Sequence, residues 1–584
     1  MYRNSEQHFA AVPTLHQSRS IFDLSTNHKT TLNVGDIVPL YVNTDIIPGD
    51  TFKVNESMVL RMQVPIYPTM DNIWIDTYWF FVPHRIVWEH WKEFLGENTT
   101  GAWEQTTEYT IPITKTGASK ITKGDMLDYF GIQTDATNLW FISLAQRAYI
   151  KIYNDWFRNQ NLIAPLTEIT GDSDTTYSHG TITTGGGLCK AAKVASYLTT
   201  CLPAPQKGDP VTLPLGTSAP VYGDEKALRL QTAIWDTSSP SSTNLAKLSL
   251  LGSQANDSAD RLTLFNKTGG VSQPVGYSSN TSIIQSGDAS RNYTNVVSKE
   301  YIEKFNSTTL NDIGSGLYAD LSTATASTIN ALRLAFQTQK ILERDARGGT
   351  RMAEILLVHY GVKNPLFNVL QMPEYLGGGR QPINIIQTTQ TTGTANSPLG
   401  QPGATSITGA TKRAFTKSFT EHGTLMCVGV IRYSHSYQQK IHKMWRRQRR
   451  LDIYWPELQH IGEQPVYNFE IYAQGDSVKD ANGKIIDNQV FGYQERYGEL
   501  RYGDDLVTGE LRSTYSTPLD TWHYADNYNS LPVLNQSWIE ENPNFVKRTL
   551  AVQNQDMFLG DFYFDITAYR PIGMYGTPEL LDHF

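Results

Sequence analysis

A single stretch near the start of the chain, Met58 to Trp91, constrains the fold more than any other: MVLRMQVPIYPTMDNIWIDTYWFFVPHRIVWEHW. In its first part Met58, Leu60, Met62, Val64 and Ile66 fall on one side of an extended chain, with Arg61 and Gln63 on the other. That is the period of a half-buried β-strand. Pro65 and Pro68 each remove a backbone donor, so the strand ends near them or lies at a sheet edge. Pro68 to Asn72 reads as a turn. Ile73 to Val82 predicts a second strand, apolar on both faces, which needs cover on both, one of them from another subunit.

The same alternation closes the chain. Phe558, Phe562, Phe564, Ile566 and Ala568 share one face of a strand within Met557 to Arg570, and Asp561, Asp565 and Thr567 share the other. Met58–Ile66 and Phe558–Ala568 are expected to be sheet neighbours. Leu425 to Tyr437 reads as a buried strand running out into polar sequence, and Val34 to Val42 as a short strand before the Pro48-Gly49 turn.

Helical spacing lies between these ends. Trp88 to Leu95 predicts a short helix. Leu139 to Asn161 predicts a long one, capped by Asn138, with Ile142, Ala145, Tyr149, Ile152 and Trp156 as its core stripe. Thr328 to Arg347 predicts another, capped by Thr328, with Ile329, Leu332, Phe336, Ile341 and Leu342 on its apolar face. Thr350 to Tyr360 follows as a helix on which His359 reads as packed rather than catalytic. Gly377 to Gly379 and the tract Gln387 to Thr411 read as loop. Strands at both ends without local βαβ alternation argue against a doubly wound fold and for an antiparallel sandwich with large insertions.

Charge and chemistry exclude more than they assign. The formal charge is −8, whereas a chain whose main task was coating DNA would be basic, so any nucleic-acid contact is local. Cys189, Cys201 and Cys427 form no CxxC pair and read as small buried hydrophobes in a reducing cytosol. No run approaches the ~20 apolar residues of a membrane helix, so no membrane insertion is expected. Zincin, nucleophile-elbow, P-loop and EF-hand patterns are absent, and no catalytic residue, metal or cofactor is expected. The paired carboxylates Asp504-Asp505 and Glu540-Glu541 read as solvated faces or subunit contacts. His435, His442 and His460 could meet around a metal, but no carboxylate or cysteine stands at ligand spacing. Met1 to Thr31 reads as an extended arm on other subunits or on an inner surface.

Five motifs in one order carry a resemblance. MDNIWIDTYWFFVPHRIVW follows a PGDTF turn at Pro48 to Phe52, and YNDWFRNQNL spans Tyr153 to Leu162. LQMPEYLGGG spans Leu370 to Gly379, YWPELQHIGEQ spans Tyr454 to Gln464, and FLGDFYFDITAYRP spans Phe558 to Pro571. The chain resembles the major capsid proteins of the Microviridae, small icosahedral phages with single-stranded DNA, and within them the gokushovirus branch. The resemblance covers nearly the whole chain except about Tyr222 to Ile313. It implies a mainly β fold, the eight-stranded antiparallel viral jelly roll with long loop and helix insertions.

The organisation expected is an N-terminal arm with first strands over residues 1–57, jelly-roll core over 58–221 and 314–584, and an inserted surface protrusion over 222–313. The resemblance implies a structural protein of the virion, assembled in the host bacterial cytoplasm into a T=1 shell with copies of itself. It also implies as partners a scaffolding protein, a minor pilot-type protein, a small basic DNA-binding protein, the single-stranded DNA genome and a host surface receptor. The rival class is a glycan-binding or glycan-cleaving phage fibre protein on a β-sandwich.

Two surfaces are singled out. Lys440, Lys443, Trp445, Arg446, Arg447, Arg449 and Arg450 make a basic segment with an aromatic platform. It reads either as an inward-facing contact with single-stranded DNA or as a set of inter-subunit ion pairs. The Ser/Thr/Asn-rich block 222–313 reads as a three-fold spike for receptor binding, with Ser253, Asn266, Tyr277, Asn280, Asn292 and Thr294 as candidate contacts.

Overall fold

The computed structural model describes residues 18–98, 107–209, 211, 371–391, 393, 399–503 and 505–574. It also describes 221–223, 264–268, 271–277, 284–286, 317–319, 329–348 and 352–361. Residues 1–209 with 341–584 form one compact unit, and 210–340 form a second.

Nine strands build two facing sheets in the first unit: β1 (Ser20–Asp23), β2 (Thr26–Leu32), β3 (Ile37–Ile46), β4 (Thr51–Met62), β5 (Ile73–Pro83), β6 (Glu374–Pro382), β7 (Thr408–Ser418), β8 (Gly423–Tyr433) and β9 (Phe558–Arg570). One sheet runs β2-β9-β4-β7, with β1 continuing β2 along the same edge of β9, and the other runs β6-β5-β8-β3. All these pairings are antiparallel. With β1 and β2 taken as one interrupted strand, this is the order of an eight-stranded jelly roll.

The expected neighbours do pair: Met58 lies opposite Phe562 and Met62 opposite Phe558. The first strand, however, starts at Thr51 and stops at Met62, and Pro65 keeps only an isolated bridge to Leu550. The arm reading is corrected for residues 20–32, which pair with β9 of the same chain. Arg570, at the end of β9, donates to both carboxylate oxygens of Asp50 and so fastens the Pro48-Gly49 turn to the last strand.

Alternation on β4 and β9 puts Phe52, Val54, Leu60, Phe558, Phe564 and Ile566 between the sheets, against Ile75, Trp79, Phe81, Leu425 and Ile431. The second face of β5 is not left for another subunit. Phe80 and Val82, with Met426 and Val428 of β8, pack under α1 (Leu144–Ile152) through Leu144, Ala148, Tyr149 and Ile152. The Tyr149 hydroxyl donates to the Ile37 carbonyl at 2.6 Å, which pins the helix to β3.

This helix is shorter than its spacing predicts. Trp140–Ile142 is a strand paired with Ile113–Lys115, and Asn138 turns at φ 56° rather than capping. Beyond Ile152 the helix widens into a π turn, Tyr153–Phe157, which leaves Trp156 half exposed with its indole donating to the Pro373 carbonyl. Gly377 to Gly379 is strand, not loop: it is the bulged edge β6. The tract after Gln387 also holds strand, with Ile385–Thr389 paired to Pro402–Ser406. α2 (Ile329–Gly348) and α3 (Met352–Tyr360) form as expected, but Leu332, Phe336 and Ile341 of the expected apolar face are exposed in the single subunit. His359 is packed, its Nε2 at 2.7 Å from Asp345. The three cysteines are free and buried.

In the second unit the backbone holds a three-stranded antiparallel sheet, Leu264–Thr268, Val271–Tyr277 and Ile284–Ser286. Val221–Gly223 pairs antiparallel with Leu317–Ala319, Tyr222 lying opposite Tyr318.

Candidate nucleic-acid interface

β8 leaves the sandwich at Tyr433 and its continuation is anchored before it turns basic. The His435 side chain is buried between two carboxylates, Nδ1 at 2.9 Å from Asp526 and Nε2 at 2.9 Å from Glu541. Lys193 reaches the other Asp526 oxygen at 2.9 Å and the Tyr528 hydroxyl donates to it at 2.7 Å. The two carboxylates outweigh burial and push the imidazole up to about 9, so it is the charged form that is held. Among the described residues no three His, Cys, Asp or Glu side chains are grouped so as to hold a metal ion, His435, His442 and His460 included. Glu541 faces His435 while Glu540 accepts from Gln536, so this neighbouring pair points apart. Asp504 lies outside the described residues.

From this anchor the chain is held by backbone bonds from Ala473 to Gln439 and from Ile441 to Phe469. His442 caps a single 3-10 turn, Lys443–Arg446, by accepting the Met444 N–H at 3.1 Å. A second turn, Arg450–Asp452, is closed by Asp452, which accepts the N–H groups of Gln448 and Arg449. The two turns sort the basic side chains. Arg447 donates to the buried Glu499 at 2.8 Å. Arg446 reaches Asp487 at 3.4 Å and lies over the Phe469 ring at 4.8 Å. Lys443 donates to the Pro465 carbonyl at 3.2 Å and stands 3.9 Å from Glu470. Lys440 lies 6.0 Å from the centre of the Tyr437 ring.

Trp445 is 75% exposed, and Arg449 and Arg450, a few residues further along the chain, are exposed as well. The Arg450 guanidinium stacks on Trp455 at 4.9 Å. The segment thus divides into cations held by this subunit's own carboxylates, Arg446 and Arg447, and a face of Trp445, Arg449 and Arg450 turned to solvent. An exposed indole can stack bases, and exposed guanidinium groups can pair phosphates.

The acidic partners were not legible beforehand, because Asp487, Glu499 and Asp526 stand far along the chain with no motif around them. Tyr467, Phe469, Arg496 and Tyr497, which line the same region, were missed for the same reason. Of the candidate receptor contacts, Asn266 and Tyr277 lie on strands of the second unit, and Ser253, Asn280, Asn292 and Thr294 lie outside the described residues. No described helix is long and apolar enough to cross a membrane.

The family described as capsid protein (F protein) matches residues 10–580. The chain is similar to capsid protein VP1 of Bdellovibrio phage phiMH2K, 36% identical over 591 residues, covering 100% of this chain and 99% of the relative. It is similar to capsid protein VP1 of Chlamydia phage 1, 36% identical over 608 residues, covering 98% and 97%. Capsid protein VP1 of Spiroplasma virus 4 is 36% identical over 569 residues, covering 95% and 94%.

Proposed function

From the premise that this chain belongs to the capsid protein (F protein) family, and so is a structural component of a phage virion rather than an enzyme, we propose that it is the major subunit of a T=1 icosahedral shell of gokushovirus type enclosing single-stranded DNA. The observation that carries this reading is similarity to capsid proteins over essentially the full length of both partners. It favours a shell over the fibre-protein reading. A jelly roll suits the task, because its rigid walls leave long insertions free to make contacts between copies. Exposed Leu332, Phe336, Leu451 and Ile453 supply apolar surface of the kind that permanent interfaces bury.

Within that shell the face of Trp445, Arg449 and Arg450 touches the genome, and Lys440, Lys443, Arg446 and Arg447 hold that face in place. The block 222–313 projects outward at the three-fold axis and binds the host receptor. Pairing of Val221–Gly223 with Leu317–Ala319 supports an insertion, since it brings the two ends of the block together. A scaffolding protein, a pilot-type protein and a small basic DNA-binding protein complete the assembly. The last of these would supply the positive charge that a chain of net −8 lacks.

The test is co-expression with the scaffolding protein, followed by sedimentation and electron microscopy. Uniform closed particles of T=1 size are expected. A discrete small oligomer that persists with the scaffold present would overturn the reading.

A further inference from the structure

A cleft of about 410 Å³ is lined by the basic segment, from Lys443 through Arg449 to Asp452, and by residues of the stretches Gln464–Phe469 and Arg496–Glu499. Five cationic residues line it against two carboxylates, so its electrostatics depend on how those two are used. Glu499 is spent on Arg447 and on Gln464, which donates at 2.5 Å. Asp452 is spent on two backbone N–H groups, which hold its carboxyl below the usual range, with Arg449 and Arg496 nearby adding to the effect. Two guanidinium groups therefore face one carboxylate that is already engaged. The Nε atoms of Arg447 and Arg496 are buried, and the Arg496 guanidinium lies over the Tyr497 ring at 4.8 Å, so the planes of both guanidinium groups are fixed by the protein itself.

The other wall is flat. Tyr467 and Phe469 stack at 5.7 Å with 14° between their planes, and the Arg446 guanidinium forms the next layer over Phe469. Asp487 at 3.4 Å and Asp476 at 3.8 Å hold that guanidinium through its two terminal nitrogens. A stack whose outer layer is a guanidinium plane accepts a further aromatic ring, and a nucleobase is such a ring. A metal cation would be repelled here, and a purely apolar ligand would leave the arginine donors unsatisfied.

We propose that this cleft holds one nucleotide unit of single-stranded nucleic acid, its phosphate on Arg449 and Arg496 and its base on Arg446. The inference rests on the genome-facing reading of the basic segment and deepens it. Trp445 and Arg450 offer an open surface, whereas the cleft, at about 410 Å³, has room for a single unit and so fixes the path of the strand.

The test uses the full-length chain and two probes. Thymidine monophosphate, titrated by calorimetry, reads the cleft alone, and a long oligothymidylate, followed by anisotropy, reads the whole face. Arg496→Gln should weaken monophosphate binding about tenfold, while Arg450→Gln leaves it unchanged and weakens only the oligonucleotide. Thermal unfolding checks that each variant folds, and Arg449→Gln, at an exposed position, carries the test if Arg496→Gln does not. Absence of monophosphate binding while the oligonucleotide still binds would overturn the cleft and leave the wider reading standing. Failure of the oligonucleotide to bind would sink both. Inorganic phosphate binding as tightly as the nucleotide would reduce the cleft to an anion site and overturn the assignment of a base.

Discussion

Glu56 accepts the indole N–H of Trp79 at 2.9 Å, across the space between the two sheets. The carboxylate comes from β4 and the indole from β5, and the other Glu56 oxygen takes Thr77 at 2.7 Å and Lys412 at 2.7 Å. A charge inside a sandwich is tolerated only while every lone pair is used. Lys412→Met should therefore cost about 3 kcal/mol, because it strands a buried carboxylate. Adding Glu56→Gln to it should restore part of the loss, since the amide still accepts from Trp79. Urea unfolding of the unassembled subunit measures both. A Lys412→Met cost below about 1 kcal/mol would show the pair to be no stronger than a surface ion pair.

The buried His435 makes a second prediction, on pH. Its folded value of about 9 lies above the ordinary 6.5, so the stability it contributes is complete below about pH 6.5 and is lost as pH rises through about 9. The difference corresponds to on the order of 3 kcal/mol. Asp526 runs the other way. His435 and Lys193 hold its carboxyl well down against burial, so its contribution is present above the ordinary carboxylate value and is lost in acid. Glu541 and Tyr433 also face the imidazole, while Lys193 and the Tyr528 hydroxyl contact Asp526, and all four remain in place in the test. The unfolding temperature should fall from pH 7 to pH 10, and His435→Gln should be less stable at pH 7 and flatter over that range. An equally steep fall in the variant would remove His435 as the cause.

Gly378 tests the edge strand. A Cβ there would stand 2.0 Å from the Thr77 carbonyl oxygen, and its φ of 153° is one that side chains rarely adopt. Gly378→Ala should break the pairing of β6 with β5 and leave little soluble protein. Gly409→Ala, where a Cβ meets nothing within 4 Å, should stay within about 0.5 kcal/mol of the parent. Soluble yield and melting temperature of the two variants decide it.

These elements differ in how openly the sequence declares them. β9 was legible because one of its faces meets core and the other meets water, which writes a period of two. β5 was legible as a strand covered on both faces, but not what covers it, because Leu144 and Tyr149 of α1 stand far away in sequence. The three glycines of β6 signal a turn in sequence, whereas in the fold they let the edge strand come close to Thr77 and Ala414. The start of α1 is masked in the sequence because Trp140, Phe141 and Ile142 extend the apolar run without belonging to the helix. At the basic face the cations were visible as a run, and the carboxylates that separate held from exposed arginines were not, since ion pairs between distant segments leave no periodic trace.

That separation predicts unequal effects from equal changes of charge. Arg449→Gln with Arg450→Gln removes two exposed cations and should leave shells forming while DNA-filled particles become scarce, with the salt sensitivity of packaging reduced. Arg446→Gln with Arg447→Gln strips partners from the buried Asp487 and Glu499 and should lower the melting temperature of the subunit before any packaging defect can be read. Gradient fractions of assembled particles, scored for protein and nucleic acid, separate the two. Loss of all shells from the Arg449/Arg450 pair would transfer that face to contacts between subunits.

The last prediction concerns the block 222–313. Its Ser/Thr/Asn-rich composition is that of exposed loop, yet it carries Leu248, Leu250, Leu251, Leu262, Leu264 and Phe265, which need cover. A lone insertion of about 90 residues with so few apolar side chains buries little surface and is marginal by itself. Copies meeting at a three-fold axis would share that cover. The backbone is compatible with a stalk and a tip: Tyr222 and Tyr318 lie opposite each other where the chain enters and leaves, and a small sheet of three strands lies between them in sequence. Tip loops on such a stalk can change without disturbing the shell, which suits recognition of a receptor. Replacing Ser253 to Thr294 with a short Gly/Ser linker removes the small sheet and spares the paired ends. Particles should still assemble and contain DNA, while adsorption to host cells, measured as phage left unbound over time, falls to background. Loss of assembly would make the block structural, and normal adsorption would place the receptor site elsewhere on the shell.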